Sequence, residues 1–175
     1  MLSEPLTLYK LMILYMLKQV KFPLTNSQIS DFFLSKEYTT YFTLQQALSE
    51  LTDAHLIQVE TTQNSTLYEI TREGEDTLGF FGKKISELIV QDMNEYLKEN
   101  KVRMRDEVST LADYYRSTNQ DYTVRCEIRE GRASLLKLEI SVPDEKQAEQ
   151  MCHQWQESSQ VIYATILREL TQKEM

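Results

Sequence analysis

The sequence predicts an α+β chain, and three patterns carry that expectation. Between Leu24 and Gly74, two stretches with helical apolar spacing precede two short apolar runs that flank Gln63-Asn64-Ser65. Between Tyr122 and Val142 the apolar residues change to period two, the spacing of half-buried strands. Long stretches at helical spacing lie on either side of that second region. Helix, turn, helix and hairpin in this order is the arrangement of a winged helix-turn-helix. The expected fold is therefore an N-terminal winged helix-turn-helix over residues 1–75, followed by a helical region with a β-hairpin over 76–175.

Taken in order, Leu6 to Leu17 is apolar nearly all round, which predicts a helix buried on more than one side. Phe22-Pro23 ends it, because proline disfavours helical geometry in the residue before it. Thr25 is the expected N-cap of the next helix, with Gln28 three places on completing a capping box, and Ile29, Phe32 and Phe33 mark its buried face. After the turn Ser35-Lys36-Glu37-Tyr38, Thr39 or Thr40 caps a third helix whose buried stripe is Leu44, Ala47, Leu48 and Leu51. His55 stands where a helix C-terminus prefers glycine. Leu56 to Glu60 and Leu67 to Thr71 read as paired strands. A long helix is expected from Glu75 to about Asn100, with a bend or close helix contact at Gly79 and Gly82, each costing about 1 kcal/mol relative to alanine. Val102 to Ser117 reads as a further helix. Tyr122–Arg129 and Leu135–Val142 form a hairpin through Glu130-Gly131. Asp144 with Gln147 then opens a last helix to about Gln172, with Ala148, Met151, Trp155, Val161, Ile162, Ile166 and Leu170 as its buried candidates.

Bulk composition narrows the function classes. The chain has 175 residues, 41% hydrophobic and 26% charged, with four glycines and three prolines, which fits ordinary globular folding without long flexible linkers. Its net charge is −8, unfavourable for a partner made of phosphates, although the local field at a docking face matters more than the total. Leu6 to Val20 is interrupted by Lys10 and Lys18 and is shorter than the roughly 20 residues of a spanning helix. No basic stretch precedes it and no small-residue cleavage site follows, so neither a membrane segment nor a signal peptide is expected and the location should be cytoplasmic. Asn64-Ser65-Thr66 then matches a glycosylation sequon only by chance of turn chemistry. Cys126 and Cys152 are far apart in sequence and form no C-x-x-C pair, which makes them small buried hydrophobes rather than a disulfide or metal site. His55 and His153 complete no chelating set, so no metal and no cofactor is expected. There is no phosphate-cradling glycine loop and no nucleophile elbow, so the chain reads as a non-enzyme.

The candidate chemistry lies on the third helix. With Leu44, Leu48 and Leu51 inward, the opposite side carries Phe42, Gln46, Ser49 and Asp53, flanked by Thr43, Gln45 and Glu50; Glu50 and Asp53 fall late on the helix, where groove contact normally ends. A glutamine amide can pair bidentately with adenine and a threonine methyl can contact thymine. Thr39 and Thr40 at the start of the helix, Lys36 in the turn before it, the hairpin tip Gln63-Asn64-Ser65, and Arg72 past the hairpin complete the expected DNA face. Lys98, Lys101, Arg103 and Arg105 form the densest basic cluster, which reads first as solvated surface. Apolar stripes on the two later helices, Phe81, Ile85, Leu88, Ile89 and Leu97 on one and Trp155, Ile162, Ile166 and Leu170 on the other, are the expected dimerisation surface.

Leu56-Ile57 before the hairpin, then Tyr68-x-Ile70-Thr71-x-x-Gly74 leading into a long helix, resembles the wing and exit of bacterial winged-helix regulators such as the MarR and PadR families. Tyr41-Phe42-Thr43-Leu44-Gln45-Gln46 with Leu48-Ser49-Glu50-Leu51 is similar to a family of proposed transcriptional regulators of Gram-positive bacteria, catalogued as a domain of unknown function, and the likeness covers almost the whole chain. It implies a homodimeric regulator of transcription that binds double-stranded DNA, with room for a small-molecule effector of unknown identity. The alternative from another class is a winged-helix module that binds protein instead of DNA, which the acidic composition and a hairpin tip without Lys or Arg favour.

Overall fold

In the computed structural model, which describes residues 4–61, 65–131 and 133–172, the apolar N-terminal stretch is helix α1, Glu4–Val20. Leu11, Met12, Ile13, Leu14, Met16 and Leu17 are all buried, so more than one side of this helix is covered. Pro23 leads into a two-residue strand, β1 (Leu24–Thr25), in place of the expected start of the next helix. Helix α2 (Asn26–Ser35) opens on the expected capping box. The Gln28 N–H donates to Thr25 Oγ1 at 3.0 Å, and the Thr25 N–H donates to Gln28 Oε1 at 2.9 Å. Helix α3 (Tyr41–Asp53) is capped by Thr40, and buries Leu44, Ala47, Leu48 and Leu51 as its spacing predicts. Fully burying such a leucine is worth roughly 1.5–3 kcal/mol, which is ample to fix which face of the helix turns inward.

Both helices end in the same way. The Tyr38 N–H donates to Phe33 O at 2.9 Å and the Glu37 N–H to Leu34 O at 3.1 Å; the Leu56 N–H donates to Leu51 O and the His55 N–H to Thr52 O, each at 3.0 Å. These are Schellman turns, which place one residue in the left-handed region. Those residues are Glu37 (φ 56°) and His55 (φ 60°), where glycine would be unstrained.

Strands β2 (Ile57–Thr61) and β3 (Thr66–Ile70) pair antiparallel, with Ile57 opposite Ile70 and Thr61 opposite Thr66. β1 adds to the other edge of β3, Leu24 opposite Tyr68, giving the order β1-β3-β2. Thr71 closes this sheet: its hydroxyl donates to His55 O at 2.8 Å and accepts from the Gly74 N–H at 3.0 Å. A Cβ on Gly74 would stand 2.1 Å from Leu56 O, so only glycine fits there.

From here the fold departs from the expected pair of helices. Helix α4 (Arg72–Phe81) stops at a 3-10 turn, Gly82–Lys84, and extended Ile85 separates it from α5 (Glu87–Ser109). The break falls at Gly82, where a bend was expected. The Ser86 side chain accepts from the Ile89 N–H at 3.4 Å and starts the new helix, a cap the apolar periodicity had masked. The expected helix over Val102–Ser117 is not formed as such. α5 takes its first half, burying Met104 and Val108, and residues Thr110–Arg116 become strand β4. β4 pairs along its full length with β5 (Tyr122–Glu130), and the ladder outweighs a local helical pattern that no glycine or proline interrupts. With β6 (Ala133–Val142) the expected hairpin is thus a three-stranded antiparallel sheet, order β4-β5-β6, with a register shift at Ile128/Arg129.

Helix α6 (Glu145–Thr171) is capped by Asp144, which accepts from the Gln147 N–H at 2.7 Å. It covers one face of this sheet, setting Ala148 and Trp155 against Val124, Cys126, Ile128 and Val142. The Trp155 indole N–H donates to Glu127 O at 3.3 Å. Val161, expected to be buried, is 69% exposed, and Ser159 is buried in its stead. Cys126 and Cys152, remote in sequence, meet in this core as free thiols, and burial pushes Cys126 up to about 11.

Among the described residues the chain is α+β, with six α-helices and two three-stranded antiparallel sheets. It divides into two compact units, Met1–Arg105 and Asp106–Met175, whereas the expected boundary lies after residue 75. The later line follows from ties that hold residues 92–104 to the first helices. Tyr38 Oη donates to Asp92 Oδ2 at 2.5 Å, Tyr15 Oη to Asn94 Oδ1 at 2.6 Å, and Gln28 Nε2 to Met104 O at 3.1 Å. The ring of Tyr96 lies 5.1 Å from that of Phe32. Among the described residues no helix is long and apolar enough to cross a membrane.

Candidate nucleic-acid interface

The inward stripe of α3 determines what the helix presents outward. Phe42, Gln46 and Ser49, at i, i+4 and i+7, are exposed together, with Phe42 at 80%. Thr40 is exposed at the cap, where its Oγ1 accepts from the Thr43 N–H at 3.3 Å and donates to Thr43 Oγ1 at 3.0 Å. Thr39 and Thr43 are half-buried. Tyr41, outside the expected set, is 56% exposed beside Phe42.

The two glutamines of this helix have different surroundings. Gln45 and Asn26 exchange two amide hydrogen bonds, Asn26 Nδ2 to Gln45 Oε1 at 2.8 Å and Gln45 Nε2 to Asn26 Oδ1 at 2.9 Å. Ser30 Oγ adds a third bond to Asn26 Oδ1 at 3.1 Å. This network joins α2 to α3 and engages the half-buried Gln45 amide, leaving Gln46 as the exposed amide of the helix. Nothing in a spacing of nineteen residues signals the pairing of Asn26 with Gln45. Glu50, read as a flanking charge, lies 3.4 Å from Lys10 of α1 (Glu50 Oε2 to Lys10 Nζ).

The remaining candidates are spread over several elements. Lys36 is exposed at the C-terminus of α2, and Arg72 is exposed as the first residue of α4. Gln63 and Asn64 lie outside the described residues, and Ser65, just before β3, is half-buried. On the expected dimer surface, Phe81, Leu88 and Leu170 are exposed, at 48%, 75% and 80%. Ile85, Leu97 and Trp155 are buried within the chain, whereas Ile89, Ile162 and Ile166 are half-buried. Phe80, outside the expected stripe, is 81% exposed.

Fold and face together define an α+β protein with a rigidly capped, outward-facing helix beside a three-stranded sheet. The chain belongs to the family described as Domain of unknown function (DUF4364), whose model matches residues 9–170. No curated protein and no solved structure matches it.

Proposed function

We propose that this protein is a cytoplasmic, homodimeric regulator of transcription that binds double-stranded DNA through a winged helix-turn-helix, with α3 as the reading helix and β2–β3 as the wing. The observation that carries the reading is α3 itself: capped at both ends, seated by four apolar residues, and presenting Gln46 and Ser49 outward next to a hairpin. A reading helix needs a rigid seat because a bidentate contact to a base edge tolerates little displacement. The Asn26–Gln45 pair supports that rigidity. Lys36 and Arg72 supply phosphate contacts. In this reading the chain is akin to the winged-helix regulators of the MarR and PadR kind and performs no catalysis.

Selection of bound fragments from genomic DNA, followed by anisotropy titration of the enriched site, tests it. Enrichment of one sequence class, lost in Gln46→Ala, is expected; recovery of no preferred fragment at low salt removes the proposal. A second reading rests on one observation, the adjacent exposed rings of Tyr41 and Phe42 on the same helix of an acidic chain. Exposed aromatic side chains are what protein interfaces use as anchors, so a chain that selects no DNA is to be read as a protein-binding module.

A further inference from the structure

The sheet β4-β5-β6 has two edges, and they are not alike. On β4 the backbone already has side-chain partners: Gln156 Nε2 donates to Thr110 O at 2.7 Å, and the Tyr114 N–H donates to Asp113 Oδ1 at 2.9 Å. Among the described residues no side chain bonds the backbone of β6, which runs for ten residues, Ala133–Val142. An open edge of that length offers its N–H and C=O groups to another strand.

The side chains of β6 select which strand fits. Leu136, Leu138 and Ile140 stand opposite Ile128, Cys126 and Val124, on the face that α6 covers. Leu136 and Leu138 are nevertheless only half-buried and Ile140 is 41% exposed, so the cover stops short of β6. Lys137 and Glu139 alternate with them on the other face, both exposed. Glu139 pairs with Arg125 at 3.2 Å, whereas Lys137 has no carboxylate partner among the described residues. An antiparallel copy of β6 centred on Leu138 sets Lys137 opposite Glu139 twice, Leu136 opposite Ile140 twice, and Leu138 opposite itself. Centring on Lys137 or on Glu139 sets like charges opposite each other, which destabilises a ladder. Centring between two residues sets apolar side chains beside charged ones. The register shift passes over Leu135, outside the segment 136–140 that this pairing uses.

We infer that β6 pairs antiparallel with β6 of a second copy of this chain about a twofold axis at Leu138, joining two sheets into one of six strands. Both α6 helices then lie on the same side, and the apolar strip between them is closed by its own copy. The inference rests on the homodimer reading and adds a strand seam to it; it does not depend on DNA binding.

Sedimentation velocity of the full chain and of charge variants tests it. In Lys137→Glu the new carboxylate faces Glu139 of the second copy, and in Glu139→Lys the new ammonium faces Lys137, so each should self-associate at least roughly tenfold more weakly than the wild type. An equimolar mixture of the two restores opposite charges at both pairs and should recover the wild-type dissociation constant. The double variant, with both signs exchanged, should dimerise as the wild type does, and the near-ultraviolet circular dichroism of Trp155 should be unchanged throughout as the check on folding. Single variants that dimerise like the wild type, or a mixture and a double variant that fail to recover, overturn the β6 seam and leave a homodimer formed through other surfaces. A wild-type monomer at micromolar concentration overturns the homodimer reading as well.

Discussion

His55 and Gly74 are linked through one carbonyl-rich corner and make opposite demands on the backbone. His55 adopts φ 60° to close α3, and its carbonyl accepts from Thr71, whose hydroxyl in turn caps α4. Left-handed geometry costs a side chain about 1–2 kcal/mol, partly offset in glycine by its greater unfolded-state freedom. His55→Gly is therefore expected to raise stability by about 1 kcal/mol, read from urea unfolding; a fall would show that the imidazole makes a compensating contact. Gly74→Ala should do the reverse, because its methyl would press on Leu56 O, and a loss of at least about 1–3 kcal/mol is expected. The two glutamines of α3 separate in the same manner. Gln46→Ala should cost roughly 1–3 kcal/mol at the base it reads and leave folding alone, whereas Gln45→Ala should lower stability, since it removes the two amide bonds that join α3 to Asn26. If both variants bind the selected DNA as the wild type does, α3 is not the reading helix.

At the scale of elements, α2 and the start of α5 are held by polar ties with distinct signatures. The capping box of α2 predicts that Thr25→Ala costs about 1 kcal/mol, measurable by the same unfolding series. The Tyr38–Asp92 bond predicts a pH dependence. Burial, then the hydrogen bond to Asp92 and its charge, push the Tyr38 hydroxyl from 10.0 up to about 12. A group whose folded value is raised contributes its stability in full below its unfolded value and loses it as pH rises through the folded one. Wild-type stability should thus decline between about pH 10 and 12. Tyr38→Phe should be less stable at neutral pH and decline less steeply over that window; parallel curves would mean that the bond does not persist in solution. Between α4 and α5, Gly82 and Ser86 turn what periodicity reads as one helix into two. Beyond Ser109 the chain passes from helix to strand without a breaker residue, so β4 is recognisable only from its partner β5.

For the whole molecule, the proposed homodimer would bury the exposed side chains of Phe81, Leu88 and Leu170. Light scattering at micromolar concentration should give twice the chain mass, and a clean monomer would sink both the dimer and the two-half-site picture of DNA binding. Charge sets the character of that binding. With a net charge of −8 and few cations near α3, two or three phosphate contacts per subunit would release about four to six counterions per dimer. The slope of log affinity against log salt should then be roughly −4 to −5. A flat salt profile would transfer the interface to a protein partner, for which Tyr41 and Phe42 are the first residues to change.

Local and periodic features were legible in the sequence because neighbours along the chain cause them. The N-caps at Thr25, Thr40 and Asp144 and the buried stripe of α3 follow from hydrogen-bond geometry and 3.6-residue spacing. The left-handed demand at His55 follows from where α3 must end. The outward set Phe42, Gln46 and Ser49 is the complement of that stripe, so this much of the candidate site was legible as well. Tertiary structure alone decided the rest. β1 exists only because β3 offers it an edge, and β4 only because β5 pairs with it. The Gln45 amide is engaged by Asn26, Cys126 and Cys152 share one core, and Ile85, Leu97 and Trp155 are buried within the chain. Contacts between residues far apart in sequence have no period, and their energies emerge only once the chain has brought both partners together.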